Sequence, residues 1–267
     1  MNDVSPDSNT QPRQLNPGLK IAAIAALVAG VGIGLWALAA SLGVWFGLWD
    51  FRGGFDMLRT ANDWADWIAI AALLITIAIV VASRVFVVRQ SGLLIALAAL
   101  GTVSAALAYF VPESFRPPEG TPPIHDITTD PDNPVAFVDI LPLRADAPNT
   151  TVYGGSPNMT PERLAELQRE AYPEIVPQRF DDPPETVFER ALSAVEELGW
   201  EIVAQVPEEG RIEATDTTFW FRFKDDVVID IGREGNETVL NARSLSRVGG
   251  SDVGKNAARL RSFFALL

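Results

Sequence analysis

The sequence predicts an α+β protein: three N-terminal transmembrane helices, then a soluble domain with an antiparallel sheet and helices packed on one face. Three observations carry that expectation. Residues 1–111 hold three long apolar runs, and their 6 Lys/Arg and 6 Asp/Glu cancel, so residues 112–267 carry the entire net charge of −13. After Gly199, β-branched and aromatic residues alternate with polar ones in segments joined by short turns. The last segment switches to a helical repeat of apolar positions.

The first apolar run, Ile21–Trp49, has 29 residues without a charge; Trp67–Ser83 has 17 and Gly92–Val111 has 20. A helix rises 1.5 Å per residue, so about 20 residues cross a hydrocarbon core of roughly 30 Å. The third run fits directly. The second reaches if Arg84 snorkels and Val85–Val88 prolong the helix. The first is too long for an untilted span, which places Gly43–Trp49 at the interface or beyond it. The expected spans are 21–45, 67–88 and 92–111. The 1–111 membrane domain is then followed by an extended Pro-rich segment, 112–153, and a soluble α+β domain, 154–267. A cleaved signal peptide ending near Ala37-Leu38-Ala39 competes with the first span. It is disfavoured because the apolar run continues past that site and two aspartates precede it.

Orientation follows from the loops. The 84–91 connection carries Arg84 and Arg89 without an acid, and Arg13 and Lys20 precede the first span. The 50–66 segment, read as a loop, carries Arg52 and Arg59 among four aspartates. Trp45, Trp49, Trp64, Trp67, Tyr109 and Phe110 gather at the opposite interface. By the positive-inside rule the N-terminus is cytoplasmic and residues 112–267 lie outside, in the periplasm of a bacterial inner membrane. Small residues recur at four-residue spacing: Ala26, Gly30 and Gly34, then Gly43 and Gly47, then Gly101 and Ala105. Such rows bring helices close, within the bundle or between copies of a homo-oligomer.

In the soluble half, Thr160 and Pro161 open a short helix over 158–172, with Leu164, Leu167 and Ala171 on one face. Asp182 and Glu185 form an acidic variant of the capping box for a helix that Gly199 stops. Strands follow at Trp200–Val206, Arg211–Phe223, Val227–Ile231 and Glu237–Ser244, with turns at Pro207–Gly210, Lys224–Asp226 and Gly232–Asn236. A final helix begins near Ser251 and buries Val253, Ala257, Leu260, Phe264 and Leu267.

The run Arg243-Ser244-Leu245-Ser246-Arg247-Val248-Gly249-Gly250-Ser251-Asp252-Val253-Gly254, with Asn256 and a basic-apolar helix after it, resembles the C-terminal signature of domain-of-unknown-function family 1499. The Gly199-Trp200 helix exit and the Asp225-Asp226 pair before a Val/Ile strand are also similar. The resemblance covers roughly residues 120–267 and points to a membrane-anchored branch through Pro123-Ile124-His125-Asp126-Ile127. Many members of that family carry paired cysteines near the domain start. Here Asp130-Pro131-Asp132-Asn133-Pro134 stands in that place, so no thiol role carries over. The family implies a fold and no established activity.

Composition removes several chemistries. There is no cysteine and a single histidine, which excludes disulfides, thiol catalysis and the usual His- or Cys-rich metal sites. The acidic balance argues against nucleic acid and against a basic docking face for anionic lipid. No metal or cofactor is expected. Gly249–Lys255 spells G-x-x-x-x-G-K, but Asn256 replaces the magnesium-binding Ser/Thr and too little chain follows for a parallel sheet. A milder candidate is an anion site at a helix N-terminus, built from Arg243, Arg247, Gly249, Gly250, Ser251 and Asp252. Its competitor is internal: Ser251 caps the helix while Arg247 pairs with Asp252 or Asp226. His125 with Asp126 is a general-base candidate without a nucleophile elbow nearby, and a loop histidine held by the backbone is the commoner arrangement. Adjacent acids such as Asp225-Asp226 diverge on a strand and suit a solvated surface better than a dyad. Phe219-Trp220-Phe221 in a strand gives one side to the core and leaves the other to line a groove or to meet the membrane domain. The sequons at Asn149, Asn158 and Asn236 carry little weight alone.

These readings converge on a non-enzymatic envelope protein that holds an α+β domain at a lipid bilayer, where it binds a partner protein or small ligand. A membrane-anchored hydrolase using His125 and a purely structural role of the bundle are the alternatives.

Overall fold

The computed structural model describes residues 16–86, 91–156 and 159–267. Arg13, Val87, Val88, Arg89 and Asn158, used above for orientation, span length and the sequon, lie outside them. The chain divides into two compact units, Met1–Arg116 and Pro117–Leu267.

The first unit is three helices, each long and apolar enough to cross a membrane: α1 (Pro17–Trp45), α2 (Phe51–Phe86) and α3 (Ser91–Glu113). Asn16 caps α1 through Gly18 N (2.8 Å). The small-residue row brings α1 and α3 together inside the bundle. A methyl at Gly30 would sit 2.0 Å from the Gly101 carbonyl oxygen, and one at Gly101 would sit 2.2 Å from that of Ala26. Helix α1 stops at Trp45; Gly47 turns left-handed (φ +67°), and Trp49 folds back to donate its indole N–H to Ala40 O (3.0 Å) across Gly43. Residues 51–66 are not a loop. They form the first turns of the 36-residue α2, because Gly54, Ala61, Ala65 and Ala72 recur on one buried helical face while the acids and arginines point outward. Trp36 Nε1 donates to Met57 O (3.1 Å), and Asn62 Nδ2 to Glu113 Oε1 (2.9 Å), so this added stretch packs on both neighbours.

The second unit is a six-stranded antiparallel sheet. Its strands are β1 (Asp126–Thr128), β2 (Gln178–Phe180), β3 (Glu201–Val206), β4 (Arg211–Thr217), β5 (Lys224–Glu234) and β6 (Glu237–Ser246), in the order β1-β6-β5-β4-β3. Strand β2 continues the β1 edge along β6. The outer strand β3 is short, with an irregular register between Ile202 and Ala204. Helices α4 (Pro161–Ala171), α5 (Pro184–Glu197) and α6 (Lys255–Phe264) complete the unit. Phe188, Ala191 and Val195 of α5 and Leu260 and Phe263 of α6 belong to one buried core with Ile212, Val227, Ile229 and Leu240 of the sheet.

Several boundaries move, each for a local reason. Thr160 caps α4 as expected, accepting from Arg163 N (3.3 Å). Asp182 does not cap α5; its carboxylate pairs with Arg190 (2.5 Å), and the helix opens at Pro184 without a side-chain cap. Helix α6 begins at Lys255, not Ser251, because Gly254 (φ +83°) breaks the backbone before it. Strand β4 ends at Thr217, so Phe219-Trp220-Phe221 lies in a turn rather than a strand. Thr218 closes that turn, donating its backbone N–H to Phe223 O (2.8 Å) and accepting from Phe223 N through its hydroxyl (2.9 Å). Strand β5 begins at Lys224, and Asp225 and Asp226 are inside the ladder.

The stretch expected to be extended, 112–153, is divided. Its start ends α3, while Asp126–Thr128 pairs with β6 and Val135–Asn149 forms a strap over the sheet face opposite the helices. Phe137 and Ile140 of the strap pack there against Val228 and Leu245.

Candidate functional site

Strand alternation sends Asp225 and Asp226 to opposite faces of the sheet, and each meets arginine. On the strap face Asp226 is 0% exposed. It accepts from Arg144 of the strap (2.5 Å), from Arg247 Nε and Nη2 (2.8 and 2.8 Å) and from Thr215 Oγ1 (2.7 Å). One carboxylate thus serves two guanidiniums. Burial pulls the Arg144 pKa below its ordinary value, against the attraction of Asp226, and a guanidinium still remains charged. Two neighbouring clusters lie on the same face. Arg243 clasps Asp126 with two bonds of 2.8 Å, donates to Val135 O and Thr151 O, and lies over the rings of Phe137 and Tyr153. Glu213 accepts Val138 N, Ile140 N and Arg211 Nη1, each at 2.8 Å. Burial raises the Tyr153 pKa, so its phenol keeps its proton.

On the helix face Asp225 and Asp216 bind Arg259 of α6 (2.6 and 2.7 Å). Arg259 also donates to Asn256 Oδ1 and Ser244 Oγ, and Asn256 Nδ2 donates to His125 O (2.9 Å). The Asp225-Asp226 pair is therefore a double anchor, each carboxylate neutralised in its own layer, and not solvated surface.

The anion-site candidates are held by protein groups. Arg243 and Arg247 turn to Asp126 and Asp226, and Arg247 also donates to Leu143 O (2.9 Å). Asp252, and not Ser251, caps α6, accepting Gly254 N (2.8 Å) and Asn256 N (2.7 Å); Ser251 Oγ accepts only the Val253 amide (3.2 Å). Desolvation raises the Asp252 pKa, and those two amides oppose the rise. Gly249 (φ +94°) and Gly250 shape the turn, and Val253 takes φ +53°, a conformation costly for a β-branched residue.

A cleft of about 480 Å³ opens beside β1, lined by Ile124, His125, Asn149, Ser156, Leu164 and Gly250 among others. Asn149 ties its rim, donating to Ser246 O (3.0 Å) and Gly249 O (2.9 Å). Of the residues singled out in the sequence, His125, Asp126 and Gly250 line this cleft. Asp126 gives both carboxylate oxygens to Arg243, so its carboxylate is committed to the guanidinium and not held for the His125 imidazole. Among the described residues no group of three or more His, Cys, Asp or Glu is placed to hold a metal ion.

The family model described as a protein of unknown function (DUF1499) matches residues 126–267, more than half of the chain. The chain belongs to the DUF1499 family. The matched region of this DUF1499 protein begins at the first residue of β1, so it includes the strap, both arginine layers and the signature turn. Helices α1–α3 lie outside it. A comparison with curated proteins gave no match. In the DUF1499 domain the signature arginines are structural ties, a role the sequence left open. The strap residues Arg144 and Asp139 and the buried Glu213 escaped sequence reading altogether. Isolated charges in a Pro-rich stretch carry no periodic signal, although Glu213 between Ile212 and Ala214 was a legible hint.

Proposed function

We propose that this DUF1499 protein is a multi-pass protein of the bacterial inner membrane. In this reading the N-terminus is cytoplasmic and the α+β domain is periplasmic, where it binds a small ligand or partner protein at the cleft beside β1. The observation that carries the binding reading is the cleft itself. It has apolar walls from Ile124 and Leu164, with His125, Asn149 and Ser156 as polar groups, and its volume lies in the range of ligand pockets. The three apolar helices support the membrane assignment.

Thermal unfolding of the full-length protein in detergent, across a panel of anions and metabolites, tests binding. A ligand at about 100 times its Kd adds roughly 2.7 kcal/mol, and Ser156→Trp, which fills the cleft, abolishes that gain. A panel without any stabilising compound overturns the reading. Topology is tested separately in cells. The chain has no cysteine, so single cysteines at Arg59 and Glu208 report accessibility to an impermeant maleimide without background. Both react from the periplasm if the orientation holds, and a cysteine at Lys20 does not.

A further inference from the structure

The β4–β5 turn combines exposed aromatics with basic residues in a unit that is acidic as a whole. Thr217–Lys224 reads Thr-Thr-Phe-Trp-Phe-Arg-Phe-Lys: four aromatics and two basic residues without an acid, in a chain of net charge −13. Phe219 is 65% exposed and Trp220 38%, with their rings edge to face at 5.2 Å, while Phe221 and Phe223 stack at 6.1 Å. Solvent-facing aromatics beside Arg and Lys suit a bilayer interface, where rings sit at headgroup depth and cations meet phosphate.

The sheet register gives a second, independent argument. Asp126, Leu245, Asp226 and Thr215 form one row across the strands, and the aromatic turn projects from that end of the sheet. Strand β1 begins in the same row, so the chain arriving from α3 enters the domain at the end that carries the turn. Residues 114–125 span at most about 40 Å when fully extended. The opposite end, with the Glu208 and Gly235 turns, is acidic.

We propose that the 218–223 turn is an interfacial anchor that dips its aromatic side chains into the lipid headgroup region, with Arg222 and Lys224 against lipid phosphates. The short connection to the membrane helices keeps the turn at high effective concentration at that surface, which offsets the repulsion its acidic domain meets there.

The full-length protein is reconstituted in phosphatidylcholine vesicles with one environment-sensitive fluorophore on Phe219→Cys, Phe221→Cys, Lys224→Cys or Glu208→Cys. Nitroxide-headgroup lipid is then added. Quenching at 219 and 221 exceeds that at 208 by about twofold or more, and 224 falls between. Equal quenching at 219, 221 and 208 overturns the proposal. So does photocrosslinking of 219 to protein with no lipid quenching, which makes the turn a protein-docking element. Unchanged thermal unfolding verifies each labelled variant. If the aromatic positions fail that check, Lys224→Cys against Glu208→Cys decides alone, since both are exposed.

Discussion

The two faces of the sheet are built from alternate residues of the same strands, yet they are held by different forces. The helix face is mainly a hydrocarbon core, with Val227, Ile229 and Leu240 under Leu260 and Phe263 and a single polar cluster at Arg259. The strap face carries three buried ionic clusters over a small apolar patch of Phe137, Ile140, Val228 and Leu245. Helices bring their own hydrogen-bonded backbone, so they seal a face by apolar burial alone. A strap with only one short 3-10 turn (Leu141–Arg144) has backbone groups to satisfy, and here Glu213 accepts two of its N–H groups while Arg144, Arg243 and Arg247 donate to its carbonyls.

The comparison breaks most sharply at Asp226. Asp226→Ala leaves Arg144 and Arg247 buried without their carboxylate and lowers stability by about 3–5 kcal/mol. Hydrogen exchange localises the loss to residues 135–149. Phe263→Ala on the other face costs a similar or slightly smaller amount, about 3–4 kcal/mol, and leaves the strap amides protected. Equal exposure of the strap in both variants would mean that the faces are not independent.

A pH series sharpens the contrast at the sheet end. Burial places the Asp252 pKa above the ordinary 3.8, so the folded protein takes up that proton more readily than the unfolded chain. The sign follows: this group adds stability as pH falls from its raised value toward 3.8, and removes it as pH rises through the raised value. Wild type therefore gains on Asp252→Asn, in thermal melts, over that acid window. The smallest effect has the opposite sign. Val253→Gly relieves the left-handed backbone and stabilises by roughly 0.5–1 kcal/mol after the entropy of the new glycine is counted, read as a small rise in Tm.

Much of the helix face was legible in the sequence, because its residues obey period two or 3.6. Ile212, Val227 and Ile229 announce strands, and Gly199 and Pro161 mark helix ends. The strap face was not. Asp225 and Asp226 read as a turn because paired acids ordinarily seek water, and only the distant Arg144, Arg247 and Arg259 draw them into a ladder. The charged start of α2 read as a loop for a related reason: its acids and arginines hide the spaced Gly54, Ala61 and Ala65 that face α1 and α3. Of the candidate site, the signature glycines and His125 were visible, while the cleft beside them depends on Asn149 and Leu164, whose local signals, a sequon and a helix face, say nothing of their meeting at β1.

Strand β3 has a consequence for a chain whose helices are apolar enough to confine it to a bilayer. Copies confined to two dimensions meet often, and a sheet rim with unsatisfied amides would invite neighbouring copies to add on and grow into a ribbon. This rim is six residues long, with its pairing register shifted between Ile202 and Ala204, and it carries Glu201 and Gln205 outward. Those features deny an incoming strand a straight template, so edge-to-edge pairing of copies through β3 is disfavoured.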